Sequence, residues 1–219
     1  MTDDLPRSPD RVRETYDLIA EHFAETRHAP WPEVERFLEK SDGGALGLDV
    51  GCGNGRHVPR LAERVDRVLA LDISRDLLGE ARARLAEEGR GHALLQGDAA
   101  ALPIGDGRID LAVSVATLHH LRDRRMRIDG LRELGRVLSP TGIALVSVWS
   151  TAHDRFEAPP DAELGFDTTV DWTLPGGETV PRFYHIYAPA EFRADLARAG
   201  LTVEESYVSS GNCYAEVRP

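Results

Sequence analysis

The sequence predicts an α/β fold: a mostly parallel, seven-stranded sheet with helices on both faces, built by all 219 residues as a single domain. Three observations lead there. From residue 45 onward short apolar runs alternate with helical periods, the pattern of strands joined by crossover helices. One such run, Leu48-Asp49-Val50, enters a glycine turn, Gly51-Cys52-Gly53-Asn54-Gly55, that opens a helix. The chain is also long enough, and at 42% hydrophobic apolar enough, to bury one core.

Residues 10–26 set Val12, Tyr16, Ile19, Ala20 and Phe23 on one face of an amphipathic helix. Pro30-Trp31-Pro32 breaks it, because proline restrains the residue before it and cannot continue a helix. A second helix starts over Val34–Leu38, and the two predict a helical cap over 10–40. Strands are expected at 46–50, 67–72, 92–96, 109–115 and 143–149, with helices at 55–64, 75–88 and 126–138 between them. Residues 150–187, rich in Pro, Gly and Asp, are too long for a routine connection and predict a substrate-cap insertion over the sheet's C-terminal edge. A helix at 189–199 and an antiparallel pair at 201–208 and 212–217 complete the seven strands.

Aromatic residues divide the chain. All fourteen lie in 16–37 or 149–214, leaving 38–148 an aliphatic scaffold. Either the flanking elements anchor themselves with large side chains, or they hold a flat substrate by stacking.

Composition narrows the function classes. Thirty-seven acids against 26 bases give a net charge of −11, without the basic footprint usual for a nucleic-acid binder. Twenty-five of the bases are Arg and one, Lys40, is Lys, a bias expected of a protein adapted to high salt or of a GC-rich genome. Two cysteines, Cys52 and Cys213, make neither a disulfide framework nor a zinc site, and no metal is expected. No long apolar run and no secretory signal is present, so a cytoplasmic location is expected.

The glycine turn lets a ligand approach the main chain, and no Gly-Lys-Ser/Thr follows it to make a Walker-type cradle. Asp72, at the tip of the second strand before Ile73, is placed to bind ribose hydroxyls. Asp98, before Ala99 at the tip of the third, can accept from an adenine amino group. Three such features at successive strand tips resemble the class I S-adenosylmethionine-dependent methyltransferases, which have a Rossmann-like fold. The resemblance implies S-adenosyl-L-methionine as cofactor, held by Asp49, Gly51, Gly53, Asn54, Gly55, Asp72, Ile73, Asp98, Ala99 and Val115.

After the fourth strand come Ser114-Val115-Ala116-Thr117-Leu118-His119-His120-Leu121, with no carbonyl clamp for an amine and no cysteine nucleophile. His119 is expected to pack; His120 is left open between packing and proton transfer. A carboxylate acceptor fits so sparse a site, being ionised at neutral pH and needing orientation and desolvation instead of a base.

Arg27-His-Ala-Pro30-Trp31-Pro32, the glycine turn, His119-His120-Leu121, Val148-Trp149, Arg182-Phe183-Tyr184-His185 and Gly211-Asn212 occur in an order that resembles the tRNA wobble-uridine carboxyl-methyltransferases, from about residue 12 to 217. The resemblance implies methylation of 5-carboxymethyluridine at position 34 of the anticodon to its 5-methoxycarbonylmethyl ester. It points to Arg182, His185 and Arg27 as catalytic residues, and to Trp31, His120, Trp149, Tyr184 and Asn212 at the substrate. Trp31 and Tyr184 could equally be core, and Asn212 a turn residue. The basic run Arg122–Arg136 is open between a solvated helix face and an RNA contact.

The family further implies two partners, the tRNA anticodon loop and a small zinc-binding activator protein. Strand 92–96, expected at a sheet edge and sparsely charged, is where strand addition by the activator is expected. Two alternatives remain: a methyltransferase for a small molecule (a quinone precursor or free carboxylic acid), and a non-catalytic binding subunit on the same fold.

Overall fold

The structure is a computed structural model in which residues 9–86, 91–156 and 162–219 are described. Its main sheet joins β1 (Gly44–Val50), β2 (Val65–Asp72), β3 (His92–Gln96), β4 (Ile109–Val115), β5 (Leu138–Trp149), β8 (Thr202–Ser209) and β9 (Asn212–Arg218). Their order is β3-β2-β1-β4-β5-β9-β8. The first five run parallel, and β9 enters antiparallel between β5 and β8. This is the expected α/β fold, and β3 lies at the predicted edge.

Helices cover both faces because both faces of a parallel sheet are apolar. Leu131 and Leu134 of α5 (Arg124–Val137) and Phe192 and Leu196 of α6 (Pro189–Arg198) pack on one side. Val34, Phe37 and Leu38 of α2 (Pro32–Lys40), Val58 and Leu61 of α3 (Val58–Leu61), and Leu78 and Leu85 of α4 (Arg75–Leu85) pack on the other. Ser74 starts α4 as its N-cap, its hydroxyl accepting from Leu77 N–H at 3.0 Å.

The boundaries differ from expectation in three places. The helix expected over 55–64 is one turn, because β2 begins at Val65 and leaves room for little more. Strand β5 starts at Leu138, directly at the end of α5, where Leu138 pairs with Ile109. The insertion at 150–187 contains an unforeseen hairpin of β6 (Phe166–Thr173) and β7 (Thr179–Ile186), paired from Phe166↔Ile186 to Thr173↔Thr179. Residues 87–88 of the expected fourth-helix span and 157–161 of the insertion lie outside the described residues.

The N-terminal helix α1 (Pro9–Thr26) closes over the sheet's C-terminal edge. Ile19 is fully buried with Trp172 and Val180 of the hairpin, against Tyr16 and Phe23. Burial of one such aliphatic side chain contributes about 1.5–3 kcal/mol. Asp17 Oδ1 fixes the other side of the helix, accepting from Ser74 Oγ at 2.7 Å and Asp76 N–H at 3.2 Å, at the positive end of α4. Among the described residues no helix is long and apolar enough to cross a membrane.

Candidate functional site

A cavity of about 490 Å³ opens where the parallel strands end, between the glycine turn, α1 and the hairpin. Its floor is the turn after β1. Gly51 has φ +71°, and a Cβ there would lie 2.1 Å from Thr117 Oγ1, whose hydroxyl donates to Val50 O at 3.0 Å. The turn therefore closes against the tip of β4 only with glycine at that position. Gly53, at φ +54°, sits under the Phe23 ring. Ala116, beside it, holds φ +55° without being glycine, a strained residue of the kind concentrated at functional sites.

Acids follow the expected geometry around this floor. Asp72 accepts from Gly53 N–H at 2.8 Å and Ser74 N–H at 2.9 Å, one bond to each oxygen. Each oxygen keeps a lone pair for a hydroxyl donor. Burial raises the Asp72 carboxyl to about 6 against those donors, and burial raises Asp49 to about 7. Asp98 accepts Ala100 N–H at 2.8 Å through one oxygen and lines the cavity. Asn54 ties the turn to the end of α1 by donating to Arg27 O at 2.9 Å, while its buried Oδ1 has no partner. Gly51, Gly53, Asn54, Asp72, Ile73, Asp98, Ala99 and Val115 line the cavity; Asp49 and Gly55 lie behind it. Glycines without room for side chains, unsatisfied acceptors and two acids at successive strand tips suit a nucleoside with a charged tail.

The opposite wall is the cap. Arg182 is 7% exposed, with its guanidinium 4.9 Å from the Trp172 ring and 5.2 Å from Tyr184. It makes no ion pair among the described residues, and its Nε has no hydrogen-bond partner. Arg27 lies 5.2 Å from the same Trp172 ring, and Arg56 5.2 Å from Trp31. Arg27, Trp31, His120, Trp149, Arg182 and Tyr184, all singled out in the sequence, thus meet at one cavity.

His120 is fully engaged. Its Nδ1 lies 3.0 Å from Phe183 O, which can only accept, so Nδ1 carries the proton. Nε2 is therefore the acceptor, taking the Tyr16 hydroxyl proton at 2.9 Å. Burial pushes this imidazole down to about 3, so it is neutral and has no lone pair to spare as a base. His119 is fully buried, accepts Trp149 N–H at 3.1 Å through Nδ1, and packs as expected.

His185 and Asn212 do not line the cavity. Residues alternate across a strand, so Arg182 and Tyr184 face the cavity and His185 faces away. There it bridges Asp167 at 2.8 Å and Glu191 at 3.1 Å, joining the hairpin to α6. Asn212 starts β9 after Gly211 (φ +75°) and donates to Ser210 O at 3.0 Å, a turn arrangement. The basic run is spent inside the protein. Arg124 binds Asp195 at 2.8 Å, Arg132 binds Asp129 at 2.9 Å, and Arg136 binds Asp106 and Glu133. Arg127 is buried beneath Tyr187, and of the run's arginines only Arg122 lines the cavity. Sequence reasoning missed Tyr16, Arg56 and Trp172; Tyr16 read as a core position because it keeps the helical period, and nothing in the local pattern marks the other two.

The methyltransferase-domain family matches residues 48–142. The mouse tRNA (carboxymethyluridine(34)-5-O)-methyltransferase ALKBH8 is 35% identical over 65% of this chain, which spans only 20% of the length of that relative. A Schizosaccharomyces pombe tRNA (carboxymethyluridine(34)-5-O)-methyltransferase is 28% identical over 89% of this chain and 90% of its own. A putative methyltransferase of Encephalitozoon cuniculi is 33% identical over 80% of each chain. Among solved structures, the CcbJ methyltransferase of Streptomyces caelestis superposes with TM-score 0.75 at 21% identity, over 93% of this chain and 97% of its own. A Haloferax volcanii putative methyltransferase, solved in complex with a methyltransferase activator, gives TM-score 0.67 at 19% identity, over 94% and 96%. At these identities the structures establish a shared fold.

Proposed function

The chain belongs to the S-adenosylmethionine-dependent methyltransferases, and from that premise we propose that it esterifies the carboxylate of 5-carboxymethyluridine at wobble position 34 of tRNA. The observation that carries the acceptor is Arg182, a buried guanidinium unpaired among the described residues at the cavity wall. A buried cation without a counter-charge is costly, and an anionic acceptor would complete it. The names of the mouse and fission-yeast relatives support the same reaction.

When bound, S-adenosylmethionine supplies an electrophilic methyl group on a sulfonium. Asp72 would accept from its ribose hydroxyls and Asp98 from its adenine amino group. Gly51 and Gly53 would let its tail lie against the main chain. Arg182 offers a planar fork that fits a carboxylate through two parallel hydrogen bonds. Trp31, Trp149 and Tyr184 present ring surface for the base, and Arg27 and Arg56 positive charge for a backbone phosphate. One carboxylate oxygen forms the new C–O bond as the S–CH₃ bond breaks, and the electron pair remains on sulfur. No proton moves, which suits a site whose histidine is committed to structure. His185 would act through the hairpin it braces.

An activator bound along β3 is part of the proposal, supported by that strand's edge position and by the assembly of the Haloferax neighbour. We place the reaction in the cytoplasm, and the Arg-for-Lys bias is in keeping with a salt-rich one. Nucleoside mass spectrometry of tRNA from cells with and without the gene tests the reading. Loss of the methyl ester with accumulation of the free carboxymethyl nucleoside is expected. An unchanged profile refutes it and favours a small-molecule acceptor.

A further inference from the structure

We propose that Tyr16 is a positioning residue: its hydroxyl holds Arg182 oriented toward the cavity while leaving the guanidinium charge free for the acceptor. This deepens the carboxylate reading and rests on it. The argument is one of hydrogen-bond direction. Phe183 O accepts from His120 Nδ1, so His120 Nε2 accepts from Tyr16, and the Tyr16 proton is committed. The lone pairs of Tyr16 Oη are then what it presents to its remaining polar neighbours, Arg182 and Tyr184. Arg182 has only donors, so the chain runs one way, from Arg182 through Tyr16 and His120 to a backbone carbonyl.

Each link comes from a different part of the sequence. Tyr16 is on α1, His120 on the short turn after β4, and Arg182 and Phe183 on the hairpin strand β7. The Phe183 carbonyl that ends the chain belongs to the peptide unit between Phe183 and Tyr184, next along β7 from Arg182. The relay therefore fixes the strand carrying the guanidinium as well as the guanidinium itself. The Trp172 and Tyr184 rings attract the cation through their faces but offer no directional acceptor in the plane of the fork. A carboxylate in place of Tyr16 would orient Arg182 equally well and neutralise it. A phenol orients without neutralising.

The test uses the full chain with its activator where one is required. Tyr16→Phe keeps the ring and removes the acceptor. Expected is a fall in kcat/KM for carboxymethyluridine tRNA of about 10²-fold, the scale of a small misplacement at a reacting group. The dissociation constant of S-adenosylhomocysteine should stay within about twofold, since the hydroxyl lies on the acceptor side. His120→Gln, with one donor and one acceptor on its amide, should recover more activity than His120→Leu, which a purely space-filling role does not predict. Activity of Tyr16→Phe within about threefold of wild type overturns the proposal. A second readout does not depend on tRNA: acetate, as a carboxylate probe, should shift the Arg182 Nε–H resonance of ¹⁵N-arginine-labelled protein. Tyr16→Phe should require about tenfold more acetate for the same shift, and equal titrations also overturn the proposal. If wild type titrates with acetate but does not esterify tRNA, the proposed function fails and the positioning role stands.

Discussion

Replacing Arg182 with alanine should separate catalysis from stability more cleanly than any other change in the cavity. A guanidinium–carboxylate fork makes two charge-assisted hydrogen bonds, each contributing about 1.5–3 kcal/mol. Water entering the space left by the side chain recovers part of that, so a loss of about 3–4 kcal/mol is expected, or about 10²–10³-fold in kcat/KM. The fold should hardly notice. Removing the residue forfeits contacts to Trp172 and Tyr184 of about 1 kcal/mol each. It also removes a buried cation, 7% exposed, whose desolvation no acid among the described residues offsets. The two effects oppose, and the thermal midpoint should move by no more than about 4 °C. Methyl transfer to carboxymethyluridine tRNA, product binding by calorimetry and a thermal scan on the same preparation measure all three. Arg182→Lys should stay well below wild type because it keeps the charge and loses the fork. The reasoning is refuted if Arg182→Ala retains kcat/KM within threefold, or if product binding weakens as much as catalysis does.

Asp49→Asn should stabilise the unliganded protein at pH 8: the carboxyl is raised to about 7 by burial, so the folded state holds its proton between about pH 4 and 7 and wild-type stability falls across that window. The difference from wild type, at most about 4 kcal/mol, should vanish below pH 4 in denaturant titrations. Because His120 is held neutral down to about 3, kcat/KM should show no limb between pH 5.5 and 8 from this residue, and a step near 6.5 abolished by His120→Gln would restore it as a base. Gly51→Ala should abolish product binding, since its Cβ meets Thr117 at 2.1 Å, whereas Gly107→Ala, with similar φ (+65°) and open space, should cost only about 1–2 kcal/mol in a melt. Arg136→Ala should lower the melting midpoint with kcat/KM unchanged, because its partners Glu133, Asp106, Leu102 O and Ile104 O lie away from the cavity.

The donor half of the site is legible in sequence because its parts are local: a strand, a glycine turn and an acid at a strand tip are each written in a few consecutive residues. Strand 92–96 and strand 109–115 were likewise readable to the residue, being apolar runs bounded by Gly and charge. The hairpin was not. Arg182 and His185 interrupt its apolar alternation, and the reason is geometric: one faces the cavity and the other a buried pair of acids, so both faces of β7 carry charge. Read as a motif, Arg182-Phe183-Tyr184-His185 looks like a single functional unit. Strand alternation divides it between two environments. Tyr16 shows the complementary failure, since a residue that satisfies helical periodicity gives no local sign that its hydroxyl reaches His120, 104 positions away.

The conflict between a chain of net charge −11 and a polynucleotide substrate eases once charges are sorted by partner. Around the cavity, Arg27, Arg56, Arg155 and Arg182 make no ion pair among the described residues. Three acids line it, and Asp72 is already engaged by the backbone. The basic run that first suggests RNA, 122–136, is instead largely consumed by Asp106, Asp129, Glu133 and Asp195. What reaches an incoming anion is therefore local and positive, focused by a partly enclosed cavity, while the acidic remainder acts at distances that salt screens. Few phosphates need be neutralised for such a site to work. The slope of log K against log salt for tRNA binding should accordingly be shallow, about −2 to −4, equivalent to a few contacts. A slope near −8 would mean that a second, unseen basic surface or a basic partner carries the RNA, and would move the search for specificity off this chain.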